Sequence, residues 1–269
     1  MAHTESRDGT AADDGRRRVN VLGVGVDAVN MAQATQTIAA AIARRAGGYV
    51  CVTGVHGVME AQRDPRLRRV LNRSVLTTPD GMPMVWVGRA QGFDRIERVY
   101  GPDLMLELCR QSTVTGFGHF LYGGADGVAP MLARRLVERF PGLRVVGTHT
   151  PPFRPLTESE EDALVVRLNE LGPDIVWVGL STPKQELFMT RLHHRVAPAV
   201  MIGVGAAFDI HSGRVAQAPR WMQRNGLEWL FRVTQEPRRL LPRYARSNPS
   251  FVYRIIRQNL GISHYPLES

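Results

Sequence analysis

Two short apolar stretches, DIVWVGL at residues 174–180 and VMIGV at residues 200–204, decide how this chain folds. Neither stretch alternates apolar with polar residues, as a strand with one face in water would do. Continuous apolar runs of this length are typical of strands whose two faces are both covered by helices. The two stretches therefore predict an α/β fold with a mainly parallel sheet flanked by helices.

The same alternation continues through most of the chain. Further apolar runs occur at residues 19–26, 49–53, 75–78, 119–122 and 144–147, and segments with helical periodicity occur at 31–45, 128–140, 158–171 and 183–195. In sheets of this class, ligands bind outside the carboxyl ends of the strands. The residues that directly follow each run are therefore the candidates for a functional site.

Length and composition indicate an ordinary globular protein. The chain has 269 residues, of which 43% are hydrophobic and 22% are charged, which argues against wholesale disorder and against a fibrous or disulfide-stapled protein. The longest nearly unbroken apolar run, 197–208, is too short to span a bilayer, and no signal peptide is evident. Cys51 and Cys109 are expected to be buried free thiols. These features predict a cytoplasmic protein.

Charge and composition divide the chain into three parts. Residues 1–17 are polar and lack periodicity, so we expect a disordered leader, followed by an α/β catalytic domain over 18–213 and a basic C-terminal appendage over 214–269. The net charge is +9, and residues 214–257 alone hold ten arginines against two glutamates, a net charge of +8. Such a segment predicts an anionic partner: phosphate, nucleic acid or an acidic membrane surface.

The end of the appendage has the pattern of an amphipathic helix. One helical face carries five apolar residues: Phe251, Val252, Ile255, Ile256 and Leu260. Arg254 and Arg257 lie beside that face. The pattern fits a helix that docks on the body of the protein, and it also fits a helix that lies on a membrane.

Four predicted strand ends carry polar residues. Thr53 and His56 follow one run, Asp80 follows the next, Ser181 and Thr182 follow 174–180, and Asp209 follows 200–208. Some of these residues have a local explanation as well. Thr182 with Gln185 three residues later could form a helix capping box, and Asp80 before Gly81 could form part of a turn. Because the carboxyl ends of parallel strands meet at one edge, we expect these side chains to converge on one crevice.

Several binding motifs are incomplete or missing. The stretch VGVD at 24–27 resembles half of a dinucleotide fingerprint but lacks the third glycine and the acid after a second strand, so an NAD-dependent enzyme is a weaker alternative. No Asp-x-Asp pair, His/Cys cluster or phosphate-binding P-loop motif is present, which predicts no metal site and no cofactor. A nucleic-acid-binding protein, the other alternative, would leave the strand-end carboxylates without a purpose.

A series of motifs resembles one known family over residues 19–246. The motifs are TGVH at 53–56, TPDGMP at 78–83, RVYGPD at 98–103, LYGG at 121–124, GLSTPKQE at 179–186, GVGAAFD at 203–209, APRW at 218–221, GLEWLFR at 226–232 and EPRR at 236–239. Each motif is weak alone, but their order and combination are specific. By this resemblance the chain is identified as a member of the WecG/TagA/CpsF family, glycosyltransferase family 26.

The resemblance implies an inverting, metal-independent glycosyltransferase that acts in surface polysaccharide biosynthesis. It implies a UDP-sugar donor, a polyprenyl-diphosphate-linked saccharide as acceptor, and peripheral attachment to the inner face of the cytoplasmic membrane. The implied fold is Rossmann-like, with an appendage that completes the active site; no nucleic-acid partner is expected, and a homo-oligomer is allowed. His56 stands where the family usually has asparagine and Pro102 where serine is more usual, so these two positions bear on substrate identity.

Roles for individual residues follow from the resemblance together with their chemistry. We expect Asp80 to be the general base, with Thr53 and His56 positioning the reacting sugars and Arg98 holding a sugar or phosphate oxygen. The residues expected at the UDP-sugar are Gly123, Gly179, Gln185, Glu186, Gly205 and Asp209. Those expected to neutralise the diphosphate are Arg232, Arg239 and Arg243.

Overall fold

A computed structural model describes residues 16–196 and 198–268, and of Arg239 only the backbone. Its eight strands are β1 (Arg18–Val21), β2 (Val24–Asp27), β3 (Gly48–Thr53), β4 (Leu76–Pro79), β5 (Gly118–Gly123), β6 (Arg144–His149), β7 (Ile175–Gly179) and β8 (Val200–Gly203). Six of them form one sheet in the order β4-β3-β8-β7-β5-β6, and every neighbouring pair in it is parallel. The predicted parallel α/β fold is confirmed.

Helices connect the strands and cover both faces of the sheet. The body contains α1 (Met31–Ala43), α2 (Val55–Ala61), α3 (Pro65–Arg73), α4 (Met82–Ala90), α5 (Gly101–Thr115), α6 (Val128–Arg139), α7 (Glu158–Leu171), α8 (Lys184–Leu192) and α9 (Ala207–His211). Along β7, Val176 and Val178 join one buried cluster while Ile175 and Trp177 join the other. Alternate side chains of one strand therefore enter two separate cores, which explains why the strand is apolar throughout.

The first apolar run departs from the prediction. We expected residues 19–26 to form one strand of the sheet, but they form the antiparallel hairpin β1–β2, which belongs to a separate two-stranded sheet. Leu22 and Gly23 both have positive φ, at 54° and 81°, which is the backbone of a two-residue turn that joins twisted strands. The stretch 24–27 is therefore a hairpin strand, and its similarity to a dinucleotide-binding turn was misleading.

The C-terminal segment forms three more helices, α10 (Arg220–Arg224), α11 (Glu228–Gln235) and α12 (Pro237–Asn259). Phe251 and Ile255 of α12 are buried, so this helix docks on the body, whereas Val252, Ile256 and Leu260 of the same predicted apolar face are more than half exposed. Gln258 fixes the docking: its side chain accepts from the Leu22 amide at 2.9 Å and donates to the Asn20 carbonyl at 2.7 Å. Within the described ranges, no helix has both the length and the apolar character needed to cross a membrane.

The structure also bears on two other expectations, the state of the two cysteines and the N-terminal leader. Cys51 and Cys109 are free and buried, as predicted. Most of the predicted leader, residues 1–15, lies outside the described residues. Arg16 is described, and its guanidinium donates to the carbonyls of Ser74 and Val75 at 2.8 and 2.9 Å.

Replacing Gly179 with alanine should destabilise the fold, because a Cβ at this position would lie 2.5 Å from the Phe208 ring. Overpacking of this kind costs about 1–3 kcal/mol. Gly101→Ala is the matched control, since its Cβ would meet no atom closer than 3.4 Å, and we expect it to lower stability less than Gly179→Ala does. Urea unfolding followed by circular dichroism measures both variants. Equal stability of the two would contradict the packing argument.

Candidate active site

A cavity of about 630 Å³ opens at the carboxyl ends of β3, β4, β7 and β8. It is lined both by the body and by the C-terminal helices, so α10 to α12 supply part of its wall. The predicted site residues among its lining are His56, Asp80, Arg98, Gln185, Gly205, Arg232 and Arg243. The expected convergence of strand-end residues on one crevice is therefore confirmed for His56, Asp80, Ser181 and Thr182, but not for Thr53 and Asp209, which lie outside the lining.

Asp80 lies at the centre of this arrangement, directly after β4. Its amide donates to the Thr53 carbonyl at 2.9 Å, which ties the ends of β3 and β4 together. Gly54 permits this contact, because a Cβ there would lie 2.6 Å from the Asp80 carbonyl oxygen. Burial raises the pKa of the Asp80 carboxyl to about 7, with Glu228 acting in the same direction and Arg98 and Arg232 opposing it. A carboxyl with such a pKa can take up a proton near neutral pH.

Arg98 contacts the appendage. Its guanidinium forms an ion pair with Glu228, donates to the Gln223 side chain at 2.8 Å, and lies 4.0 Å from the centre of the Tyr100 ring. These three partners hold the side chain in place and place a carboxylate against its charge. The expectation that Arg98 holds a sugar or phosphate oxygen stays a prediction, since the structure assigns these nitrogen atoms to protein partners.

Thr53 and His56, which sequence reasoning placed beside Asp80, differ in position. Thr53 is only 2% exposed and is not part of the cavity lining; its methyl group faces Gly57, where an added Cβ would come within 3.0 Å. In this structure it contacts Asp80 through its backbone. His56 does line the cavity, and burial, together with the nearby Arg243 charge, lowers the pKa of its imidazole. A neutral imidazole at pH 7 follows from that direction.

The polar residues after β7 form a network. The predicted capping box is wrong: the residue that precedes α8 is Pro183, and no side chain caps this helix. Instead, the Thr182 hydroxyl and the Gln185 amide both donate to Oε1 of Glu186, at 2.8 and 3.0 Å. The Gln185 carbonyl oxygen accepts from the Gly205 amide at 3.1 Å. Gln185 therefore holds the turn after β8 beside the turn after β7.

Glu186 is the buried acceptor of this network. It is buried and is not part of the cavity lining, and burial raises the pKa of its carboxyl. The structure thus places Gln185 and Gly205 at the cavity surface and Glu186 behind them. Its predicted contact with UDP remains a prediction.

Three more residues predicted at the UDP-sugar lie outside the lining of this cavity: Gly123, Gly179 and Asp209. Gly123 faces the backbone of Gly179, and Gly179 faces the Phe208 ring, so both glycines permit close packing here. Asp209 borders a small neighbouring pocket together with Arg232, and its carboxylate lies 3.9 Å from the Arg214 guanidinium. Their roles at the nucleotide remain predictions.

Arginines of the appendage add to the positive charge that Arg98 of the body contributes to the cavity. Arg232 of α11 and Arg243 of α12 line it, whereas the side chain of Arg239, the third predicted residue, lies outside the described part. A guanidinium group can donate two parallel hydrogen bonds to the oxygens of one phosphate. Among the described residues, no group of three or more His, Cys, Asp or Glu side chains is placed to hold a metal ion.

Sequence reasoning did not identify several polar residues of the cavity lining, among them Asn248, Asn259 and two that matter for Arg98, Gln223 and Glu228. Both contact Arg98 from the appendage. A signal for Glu228 was present, because it is one of only two acids in a segment with ten arginines. An isolated acid among so many bases is expected to have a specific cationic partner. The identity of that partner could not be read from the chain.

Comparison with known proteins gives consistent results. The Glycosyl transferase WecG/TagA/CpsF family profile matches residues 19–265. One relative, from Bacillus spizizenii, is named N-acetylglucosaminyldiphosphoundecaprenol N-acetyl-beta-D-mannosaminyltransferase; it is 29% identical over 78% of this chain and 79% of its own length. A protein of the same name from Bacillus subtilis is 28% identical over 76% of this chain and 80% of its own. Because the profile match covers nearly all the described residues, this chain belongs to the WecG/TagA/CpsF family of glycosyltransferases.

Proposed function

We propose that this glycosyltransferase moves a sugar from a UDP-sugar to a polyprenyl-diphosphate-linked saccharide during the synthesis of a cell-envelope polysaccharide. The observation that carries the proposal is the cavity in which Asp80, with a pKa of about 7, lies among the same lining residues as Arg232 and Arg243. Transfer of a sugar from a diphosphate requires a base that accepts the proton of the acceptor hydroxyl and cations that stabilise the charge of the leaving diphosphate. The names of the two relatives support an acceptor in which a saccharide is linked through diphosphate to a polyprenol.

The proposed reaction is a single displacement. An acceptor hydroxyl attacks the anomeric carbon of the donor sugar while its proton passes to the Asp80 carboxylate. The new carbon–oxygen bond forms as the bond to the diphosphate oxygen breaks, and UDP leaves with that electron pair. Attack from the side opposite the leaving group inverts the anomeric configuration. A carboxylate with a pKa near the working pH suits this role as general base.

Negative charge develops on the leaving diphosphate, and we assign its stabilisation to Arg232 and Arg243. Both side chains line the cavity in which Asp80 lies, and guanidinium groups form charge-assisted hydrogen bonds with phosphate oxygens. In this proposal the arginines do what a divalent cation does in other transferases. Arg239 retains its predicted share of this role.

The two alternative functions have less support. The hairpin β1–β2 takes away the strand that a dinucleotide-binding turn would follow, which weakens the NAD-dependent alternative. Nucleic-acid binding would use the arginines but would leave Asp80 and the cavity unexplained. Family membership favours sugar transfer over both.

We further propose peripheral attachment to an acidic membrane surface through the appendage. Its helices expose large apolar side chains, among them Trp221, Leu230, Leu241 and Tyr253, along a segment rich in arginine. A mixed apolar and cationic surface of this kind is suited to the boundary of an anionic bilayer. Such attachment would bring the cavity to an acceptor that is anchored in lipid.

Asp80→Asn should lower the transfer rate by about 10²–10⁴-fold, because an amide cannot accept the proton. The variant keeps the size of the side chain, so UDP binding measured by calorimetry should stay near that of the parent protein. Asp94→Asn, at an exposed position, is the matched control and should retain full activity. Turnover of the Asp80 variant within about threefold of the parent would remove Asp80 from the role of base.

The pH dependence of kcat/KM should report the ionisation of Asp80. Below pH 7 the rate should rise about tenfold per pH unit, and it should level above pH 7 as the carboxylate becomes fully deprotonated. Glu228→Gln should move the midpoint to lower pH, because it removes a negative charge that raises the pKa of Asp80. Arg98→Gln should move it to higher pH, because that charge lowers the pKa. Shifts of both variants in the same direction would contradict this assignment.

Transfer should continue in the presence of EDTA, because Arg232 and Arg243 are proposed to carry the charge of the leaving diphosphate. The initial rate with a lipid-linked acceptor, measured with and without chelator, checks this. Arg232→Ala should lower kcat by about 10²-fold or more, the usual cost of one electrostatic donor, whether or not Mg²⁺ is added. The assignment to arginine would be contradicted if EDTA stopped transfer and Mg²⁺ or Mn²⁺ restored it. It would also be contradicted if either ion restored the rate of the Arg232→Ala variant.

A further inference from the structure

The cavity has an apolar part that the chemistry at Asp80 does not use. Helix α4 contributes Met82, Trp86 and Ala90 to its lining, and α12 contributes Val252 and Ile256. Trp86 is 50% exposed and Ile256 is 52% exposed, although Phe251 and Ile255 beside Ile256 are buried. Apolar side chains left this open along a cavity mark a binding surface for an apolar ligand. We call this lining the apolar channel.

The apolar channel leads away from the catalytic base. Helix α4 begins two residues after Asp80, and residues 82, 86 and 90 are spaced to share one helical face. At about 1.5 Å of rise per residue, that stripe extends roughly 12 Å from the Asp80 end of the helix. A ligand whose reacting group is at Asp80 can therefore extend along α4 past the apolar side chains of Met82, Trp86 and Ala90.

Helix α12 lines the cavity with a charged residue in its first third and apolar residues toward its end. Arg243 lies near its beginning and Val252 and Ile256 lie toward its end, and all three line the cavity. Arg243 lies near His56, whose pKa its charge lowers, and His56 follows β3, the strand paired with the one that Asp80 follows. Arg243 of α12 and Asp80 thus lie toward one end of the cavity, whereas Trp86, Ala90, Val252 and Ile256 lie farther along it. The far part of the lining is mostly apolar, with the amide of Asn259 at its end.

We propose that the apolar channel binds the first isoprene units of the lipid acceptor, the units adjoining its diphosphate. The inference rests on the proposed function, which supplies an acceptor whose sugar, diphosphate and hydrocarbon follow one another in that order. With its sugar at Asp80, such an acceptor places its hydrocarbon along α4 and α12. The enzyme then recognises the lipid chain itself, separately from any attachment of the appendage to the bilayer.

The test uses the full-length protein and a series of synthetic acceptors with one, two, three and four isoprene units, without detergent or vesicles. Burial of each methylene contributes about fourfold to affinity, so KM should fall by at least about tenfold for each unit that enters the channel. Beyond the end of the channel, additional units should leave KM unchanged. The ratio of KM for the one-unit acceptor to KM for the four-unit acceptor is the readout.

Variants locate the hydrocarbon. Ile256→Asp and Ala90→Phe should each reduce this ratio by about tenfold or more, the first by placing a charge in the channel and the second by filling it. Both positions are exposed, so folding is not at risk. Val166→Asp is the matched control, because Val166 is 56% exposed on α7 and far from the cavity lining. It should keep the ratio of the parent protein.

A second measurement separates the channel from the membrane surface. Leu260→Asp changes an exposed apolar residue of the C-terminal segment that does not line the cavity. It should lower sedimentation with vesicles of acidic phospholipid and keep the KM ratio of the parent protein. Loss of the ratio in this variant, with the ratio intact in Ile256→Asp and Ala90→Phe, would place the hydrocarbon on the outer surface and overturn the proposal.

The remaining outcomes are distinguishable. Transfer to all four acceptors with equal KM would overturn the channel and leave the proposed function standing. Absence of transfer to every acceptor, with every UDP-sugar tried, would contradict the proposed function itself. A ratio that depends on protein concentration would assign the apolar channel to contact with a second copy of the chain and would also overturn the proposal.

Discussion

Burial of the parallel sheet on both faces is the constraint on which the rest of this molecule depends. Helices cover β7 and β8 on either side, and alternate residues of each strand fill two separate cores. Because both faces are closed, the strand ends are the remaining places where polar side chains can meet a ligand. Asp80, Gln185 and Gly205 are such residues, and each lines the same cavity.

The ion pair between Arg98 and Glu228 joins the two parts of that cavity. Arg98 belongs to the body and Glu228 to α11 of the appendage, and both side chains are largely buried. Removing one partner of such a pair leaves an uncompensated charge, which is costly. The same two charges act on Asp80 in opposite directions. Docking of the appendage and the proton affinity of Asp80 are therefore linked through one contact.

Helix capping and tertiary hydrogen bonding compete for the same residues in this fold. Thr182 and Gln185 have the spacing of a helix cap, yet their side chains bond to Glu186, and Gln185 also accepts from Gly205. A buried carboxyl offers two donors a stronger partner than a helix end that water can reach. Through Gln185, this network holds the turn after β7 next to the turn after β8.

The sequence by itself determined the sheet, the amphipathic C-terminal helix and the family, because burial on two faces and motif order leave local signals in the chain. It could not determine that residues 19–26 turn back on themselves at Leu22, or that Thr53 faces the protein interior. Nor could it pair Arg98 with Glu228, which is 130 positions away. Contacts of this kind depend on how separate elements pack, and only the tertiary structure decides which distant side chains share one space.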